Sequence, residues 1–135
     1  MPLIANRREH LAAYGEVDLA LDTFPYNGTT TTCEALWMGA PVLTLRGANH
    51  AGRTGASLLT GIGLETLIAD TVDDYFDAAV AMADAAHPWR SASWRGQLRA
   101  RMQAAPLCRP DLFVPSLEQA YREMASTRRA EIGRD

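Results

Sequence analysis

The sequence predicts an α/β domain with a parallel sheet, followed by helices alone, and three observations carry that prediction. Short apolar runs alternate with helix-patterned stretches from residue 2 to residue 69. The firmest runs, 17–21 and 41–45, are too apolar to leave a polar face, as expected for strands covered on both sides. Beyond residue 70 only helical spacing is found. A β-α-β-α-β alternation requires crossover helices and parallel strands, hence a Rossmann-like, three-layer arrangement.

The elements follow in order. Residues 2–5, PLIA, suit a short strand, and residues 6–14 a polar helix. Val17, Leu19, Ala20 and Leu21 form a buried strand. Residues 31–38 suit a short helix that stops at Gly39, in the C′ position, with Pro41 just beyond. Residues 41–45 make the next strand, residues 53–60 a helix closed by Gly61 and Gly63, and residues 65–69 a third strand. Thr71, followed by Asp73 and Asp74, is the expected N-cap of a helix running through Ala85, with Tyr75, Ala79, Met82 and Ala86 on one face. Pro88 starts a helix carrying Trp94, Leu98 and Met102. Pro106 and Pro110 break the chain before a last helix lined by Phe113, Leu117, Tyr121 and Met124. That face is expected to be an exposed apolar stripe wherever its neighbours are absent.

With 135 residues the chain is long enough for one core and not for two. A doubly wound domain usually has about five or six strands. The few strands here, and the opening directly on PLIA, predict a piece of a larger domain, a β/α part over 1–70 and a helical part over 71–135, with a small complete domain as the alternative.

Composition narrows the function classes. A net charge of −3 argues against general nucleic-acid affinity. All 13 basic residues are arginine, so no lysine is present for a Schiff base or an ammonium–phosphate contact. Arg122, Arg128, Arg129 and Arg134 interleave with Glu118, Glu123 and Glu131, the pattern of a solvated helix face. Cys33 and Cys108 lack metal-ligand spacing and read as free thiols of a reducing compartment. No apolar run reaches the ~18 residues of a membrane span, and no signal-peptide core is found. A cytoplasmic protein without membrane contact is the expectation.

The informative stretch is NGTTTTCE, residues 27–34, which falls where a strand ends and a helix begins. Ligands of parallel α/β sheets bind outside the carboxyl ends of strands, at such turns. Asn27-Gly28 supplies a tight turn whose glycine either takes a positive φ or admits close approach. The following residues open a helix, where free N–H groups and the helix dipole favour an anion. Threonine hydroxyls add neutral donors, and Glu34 is placed to accept from a ribose diol. The bland alternative is a helix capped by Thr31, with Glu34 completing a capping box and the other threonines packing or solvated. There is no GK[ST] and no GxGxxG.

The chain nevertheless resembles a known family. VDLALDTFPYNGTTTTCEALWMGAPVLTL, then RTGASLL, YFDAAVAMADA and PLCRPDLFVPSLEQAYREM, are similar, in that order, to the C-terminal catalytic half of the O-linked N-acetylglucosamine transferase and Spindly family. The resemblance covers residues 4 to 125. It implies a GT-B glycosyltransferase whose C-terminal Rossmann-like domain holds most of a nucleotide-sugar donor. It implies that Thr30 and Thr31 hold and stabilise the leaving diphosphate, with Gly28 and Thr29 beside them. By the same resemblance Glu34 takes the ribose, His10 packs on the base, and Ala5 and Arg7 contact the base edge. Thr29 stands where the N-acetylglucosamine enzymes often have histidine, and Thr32 where they often have glycine. Those departures look more like Spindly, whose members can use GDP-fucose, so the donor is UDP-N-acetylglucosamine or GDP-fucose. The partners implied are that donor, a protein acceptor, and an N-terminal catalytic domain and tetratricopeptide repeats of the same chain. No metal or other cofactor is expected, and this piece alone is expected to be inactive.

Other residues read more plainly. On spacing alone His10 is a surface helix residue, His50 a cap or solvated side chain, and His87 a helix boundary. Asp22 is expected to orient the turn through backbone N–H groups. Trp37, Trp89 and Trp94 are expected to pack. Arg53, at a helix start, opposes the dipole and hints at an anion, with a surface ion pair as the alternative. From a different class, a non-catalytic binding or assembly module would retain the fold without transfer.

Overall fold

The computed structural model describes residues 6–84 and 86–132, so the strand expected over 2–5 lies outside the described residues. Three parallel strands, β1 (Ala20–Leu21), β2 (Val42–Leu45) and β3 (Ile68–Ala69), form the sheet in the order β1-β2-β3. Ala20 is in register with Val42, and Thr44 with Ile68. Helices α1 (Arg7–Ala13), α2 (Thr30–Trp37), α3 (Thr54–Gly61), α4 (Val72–Ala83), α5 (Ala92–Ala104) and α6 (Pro110–Ile132) complete the chain. Helices α2, α3 and α4 all pack on β2, and α5 packs on α2.

Local signals explain most boundaries. Asn6 caps α1 by accepting from the Arg8 N–H at 2.9 Å. Helix α2 ends in a Schellman motif: the Gly39 N–H donates to Leu36 O at 3.1 Å and the Ala40 N–H to Ala35 O at 2.8 Å. Gly39 holds φ +85°, where a side chain would be strained. The Thr71 hydroxyl accepts from the Asp74 N–H at 3.1 Å, so α4 starts as expected, and it stops at Ala83. A short 3-10 turn, Pro88–Arg90, precedes α5, whose start is capped by Ser91 rather than set by Pro88.

Two strands are shorter than the sequence predicts. Residues 17–19 do not join the ladder. Tyr14–Glu16 wind into a 3-10 turn, and Arg95 of α5 donates to the carbonyls of Val17 at 2.9 Å and Tyr14 at 3.0 Å. Carbonyls satisfied by a guanidinium need no neighbouring strand. Likewise Glu65–Leu67 is a 3-10 turn, and pairing begins only at Ile68.

Leu36, Leu43, Leu59, Leu67 and Leu98 are fully buried in one core between sheet and helices. Truncating any of these to alanine costs about 3 kcal/mol. Met102 and Tyr75 join them, while Trp37, Trp89 and Trp94 pack at the margin, as expected. The apolar face of α6 is different: Phe113, Leu117, Tyr121 and Met124 are 39–65% exposed. The Arg122–Glu118 pair at 2.9 Å lies on the same solvated helix. No helix among the described residues is long and apolar enough to cross a membrane.

Candidate functional site

The site begins where β1 ends. Asp22 is buried and ties three elements together. Its Oδ1 accepts from the Gly28 N–H at 2.7 Å, its Oδ2 from the Thr44 hydroxyl at 2.7 Å, and its carbonyl from the Tyr75 hydroxyl at 2.8 Å. Asn27 is 1% exposed and equally occupied. It donates through Nδ2 to Thr23 O at 3.0 Å and through its N–H to Ala51 O at 2.9 Å, and its Oδ1 accepts from the Gly55 N–H at 3.4 Å. No buried side-chain N or O among the described residues lacks a partner, so this network costs no unpaired group. The orienting role expected of Asp22 is therefore met, and Asn27 is a second anchor.

Gly28 lies flat on the first turn of α2. A Cβ there would sit 2.5 Å from Thr31 Oγ1 and 2.9 Å from Thr32 Oγ1. Among the described residues positive φ is confined to Gly39 and Gly63, so the glycine is needed for close approach and not for a left-handed turn.

The four threonines divide their work. Thr29, not Thr31, is the N-cap, and its side chain makes no capping bond. Thr29, Thr30 and Thr31 are exposed, while Thr32 is buried. The first intrahelical bond runs from the Cys33 N–H to Thr29 O at 3.0 Å. The amides of Thr30, Thr31 and Thr32 thus precede the ladder and have no acceptor within it. No carboxylate occupies the first turn. The result is a helix start whose first amides lie outside the ladder, with no carboxylate in the helix's own first turn and the adjacent Asp22 carboxylate already engaged by Gly28 and Thr44.

The capping box with Thr31 and Glu34 is corrected by the same geometry. Glu34 turns away from the helix start, and its Oε2 meets His10 Nε2 at 3.1 Å. Tyr14 reaches the same oxygen at 3.5 Å and stands edge-on to His10, with ring centroids 5.6 Å apart. Burial, then the Glu34 charge and hydrogen bond, push the Tyr14 hydroxyl above its ordinary pKa. Burial likewise raises the Cys33 thiol, with Cys108 and Glu34 adding to it. Arg7, Thr30 and Glu34 line one cavity of about 380 Å³, floored by Trp37 and Met102. Gly28, Thr31 and Thr32 line a smaller one of about 160 Å³ beside Tyr14 and Asp22.

Of the residues singled out from the sequence, Arg7, His10, Gly28, Thr29, Thr30, Thr31 and Glu34 gather along α1 and the start of α2; Ala5 lies outside the described residues. His87 caps its 3-10 turn by accepting from the Trp89 N–H at 3.4 Å, a structural role. Tyr14 was missed. It follows His10 by four positions, one helical turn, and that spacing was the available signal.

Fold and site together define a class: a parallel α/β domain whose α2 has no acidic residue in its first turn and starts at the carboxyl edge of the sheet. Residues 1–113 match glycosyl transferase family 41, and the chain belongs to that family. It is 45% identical over 124 residues to a protein of Eustoma exaltatum subsp. russellianum named probable UDP-N-acetylglucosamine–peptide N-acetylglucosaminyltransferase SPINDLY, covering 92% of this chain and 13% of that protein. It is 31% identical over 122 residues to the Arabidopsis thaliana protein named SEC, with the same activity in its name, covering 90% of this chain and 12% of that protein. Among solved structures, an O-GlcNAc transferase mutant of Thermobaculum terrenum superposes with a TM-score of 0.75 at 42% identity, over 88% of this chain and 22% of that one. The chain therefore spans about an eighth of the length of the curated relatives it matches.

Proposed function

We propose that this chain is the donor-binding part of a nucleotide-sugar-dependent protein O-glycosyltransferase, moving N-acetylglucosamine from its UDP conjugate to serine or threonine hydroxyls. The observation that carries the reading is the first turn of α2. Its Thr30 and Thr31 amides have no intrahelical acceptor, both residues are exposed, and the first turn carries no acidic residue. Family membership, the names of the relatives and the similar solved structure support the same reading.

In the reaction the sugar C1–O bond to the diphosphate breaks while the acceptor hydroxyl oxygen bonds to C1 and gives up its proton to the departing diphosphate or to solvent. Negative charge accumulates on the departing diphosphate. Amides and hydroxyls already aimed at that position stabilise the charge without reorganising, and loss of one such donor costs about 3 kcal/mol in well-studied cases. Glu34 has Oε2 engaged by His10 and leaves Oε1 without a partner among the described residues, free to accept from a ribose hydroxyl. His10 is held by Glu34 at 3.1 Å and stands edge-on to Tyr14. The N-terminal catalytic domain, the repeats that recruit the acceptor, and a cytoplasmic setting belong to this proposal.

A GDP-fucose donor is the second reading, favoured by Thr29 and Thr32 at the helix start. Titration of the complete protein with UDP, GDP and their sugar conjugates separates the two, with Thr31→Val as control. The expected outcome is selective binding of the UDP series, weakened about tenfold by Thr31→Val with the melting temperature unchanged. Selective GDP binding transfers the reading to fucose. Equal indifference to both would leave a non-catalytic module.

A further inference from the structure

A cavity of about 500 Å³ lies apart from the proposed donor site. It opens at the carboxyl end of β2, one strand over, and is lined by Arg46, His50, Arg53, Thr54, Ser57 and Thr60. Among the described residues no carboxylate lines it. Arg46 is paired with Asp70 at 3.0 Å, which leaves Arg53 as the uncompensated guanidinium of the lining; among the described residues it makes no ion pair. Arg53 also caps α3 from the wrong end of the dipole, without a side-chain capping bond, so the fold bears an unfavourable placement that an anion would relieve. The hydroxyls of Thr54, Ser57 and Thr60 add neutral donors around it.

Resting on the transferase reading, we infer that this cavity is an oxyanion subsite that takes an acidic side chain of the acceptor polypeptide. The loop that carries His50 is tied to the donor turn, through the Asn27 N–H on Ala51 O at 2.9 Å and Gly52 packed against Pro25. An anion held there lies beside the donor and apart from the amides that hold it. One uncompensated guanidinium matches the single charge of a carboxylate better than the double charge of a phosphate. The exposure of Arg53 and His50 suits an extended polypeptide that docks and leaves.

Calorimetry on the complete protein tests this with three probes: a serine peptide with a flanking aspartate, the same peptide with alanine there, and inorganic phosphate. UDP is titrated in the same preparations. The aspartate peptide is expected to bind about tenfold more tightly than the alanine peptide. Arg53→Gln should erase that preference with the melting temperature unchanged, and Arg53→Lys should keep part of it. Equal binding of the two peptides overturns the inference, as does a preference that survives Arg53→Gln. Phosphate binding that depends on Arg53 without any peptide preference, or displacement of phosphate by UDP, also overturns it by assigning the cavity to another ligand. Failure of UDP to bind would instead strike the donor reading, so the two failures are told apart.

Discussion

Two loops leave the carboxyl edge of the same sheet side by side, residues 22–29 after β1 and residues 46–53 after β2. Each delivers the chain to the start of an eight-residue helix, and neither helix has a capping side chain or a first-turn carboxylate. Their interiors differ. The first loop is built on buried polar side chains, Asp22 and Asn27. The second is closed by a backbone bond, the Gly47 N–H on Gly52 O at 2.6 Å, and by the exposed Asn49, whose Oδ1 accepts from the Gly52 N–H at 2.9 Å. Their displays differ as well. The first offers neutral amides and hydroxyls, the second arginine and histidine.

The contrast separates two ways of meeting an anion. Neutral donors fixed by a buried network suit a group whose charge changes during a reaction, because they respond to that charge without a permanent counterion. A guanidinium suits an anion whose charge stays constant, since it binds the ground state and the transition state alike. Both loops are locked to each other through Asn27, Gly52 and Gly55, so disturbing one is expected to be felt by the other.

The largest effect is expected at Asp22. Asp22→Ala strands the Gly28 N–H and the Thr44 hydroxyl, both donors to its carboxylate, at a cost of about 3 kcal/mol in urea unfolding. A cost below ~1 kcal/mol would mean that the first loop does not rest on this network. Next, Gly28→Ala forces a methyl group against Thr31 and Thr32. About 2 kcal/mol of stability should be lost, together with donor affinity, whereas binding of the aspartate peptide should change less. If both ligands weaken equally, the two loops do not act as separate sites.

A third test uses pH. Burial raises the hydroxyls of Tyr14 and Tyr75 and the thiol of Cys33, with Glu34 adding at Tyr14 and Asp22 at Tyr75. Each group holds its proton more tightly folded than unfolded. Stability should therefore be intact at neutral pH and fall as pH rises beyond about 9 to 10, where the unfolded thiol and phenols ionise first. No lysine titrates across that window, since the chain has none. Glu34→Gln should lower the Tyr14 pKa, read from phenolate absorbance, leaving the part due to burial. The smallest effects are at two caps: Thr71→Ala should cost about 1 kcal/mol, and Thr29→Ala next to nothing in thermal melts. A large loss at Thr29 would show that its hydroxyl caps α2 after all.

The ends of the elements were the part of the fold that one chain could hide. Gly39, Gly63 and Thr71 announced their roles because φ > 0 and side-chain capping are properties of single residues. Residues 17–19 and 65–67 look like strand by composition, yet whether an apolar residue joins a ladder depends on which partner satisfies its backbone. For Val17 that partner is Arg95, 78 positions away. The site shows the same division. The threonine run and Glu34 stood out because their spacing is local, whereas the His10–Glu34 contact spans 24 positions and displaced the local capping box. Nothing local could rank those two uses of one carboxylate.

By itself the sequence determined the α/β class, the order of its elements, the place of an anion-competent helix start and the family resemblance. Periodicity, punctuation by glycine and motif spacing act within a few residues, and so they survive in one dimension. Only the tertiary structure decided that Asp22 and Asn27 lock the turn after β1, that Glu34 turns to His10 and Tyr14, and that Arg53 makes no ion pair among the described residues. Those outcomes are choices among competing partners, and partners are fixed by distances that exist only once the chain has folded.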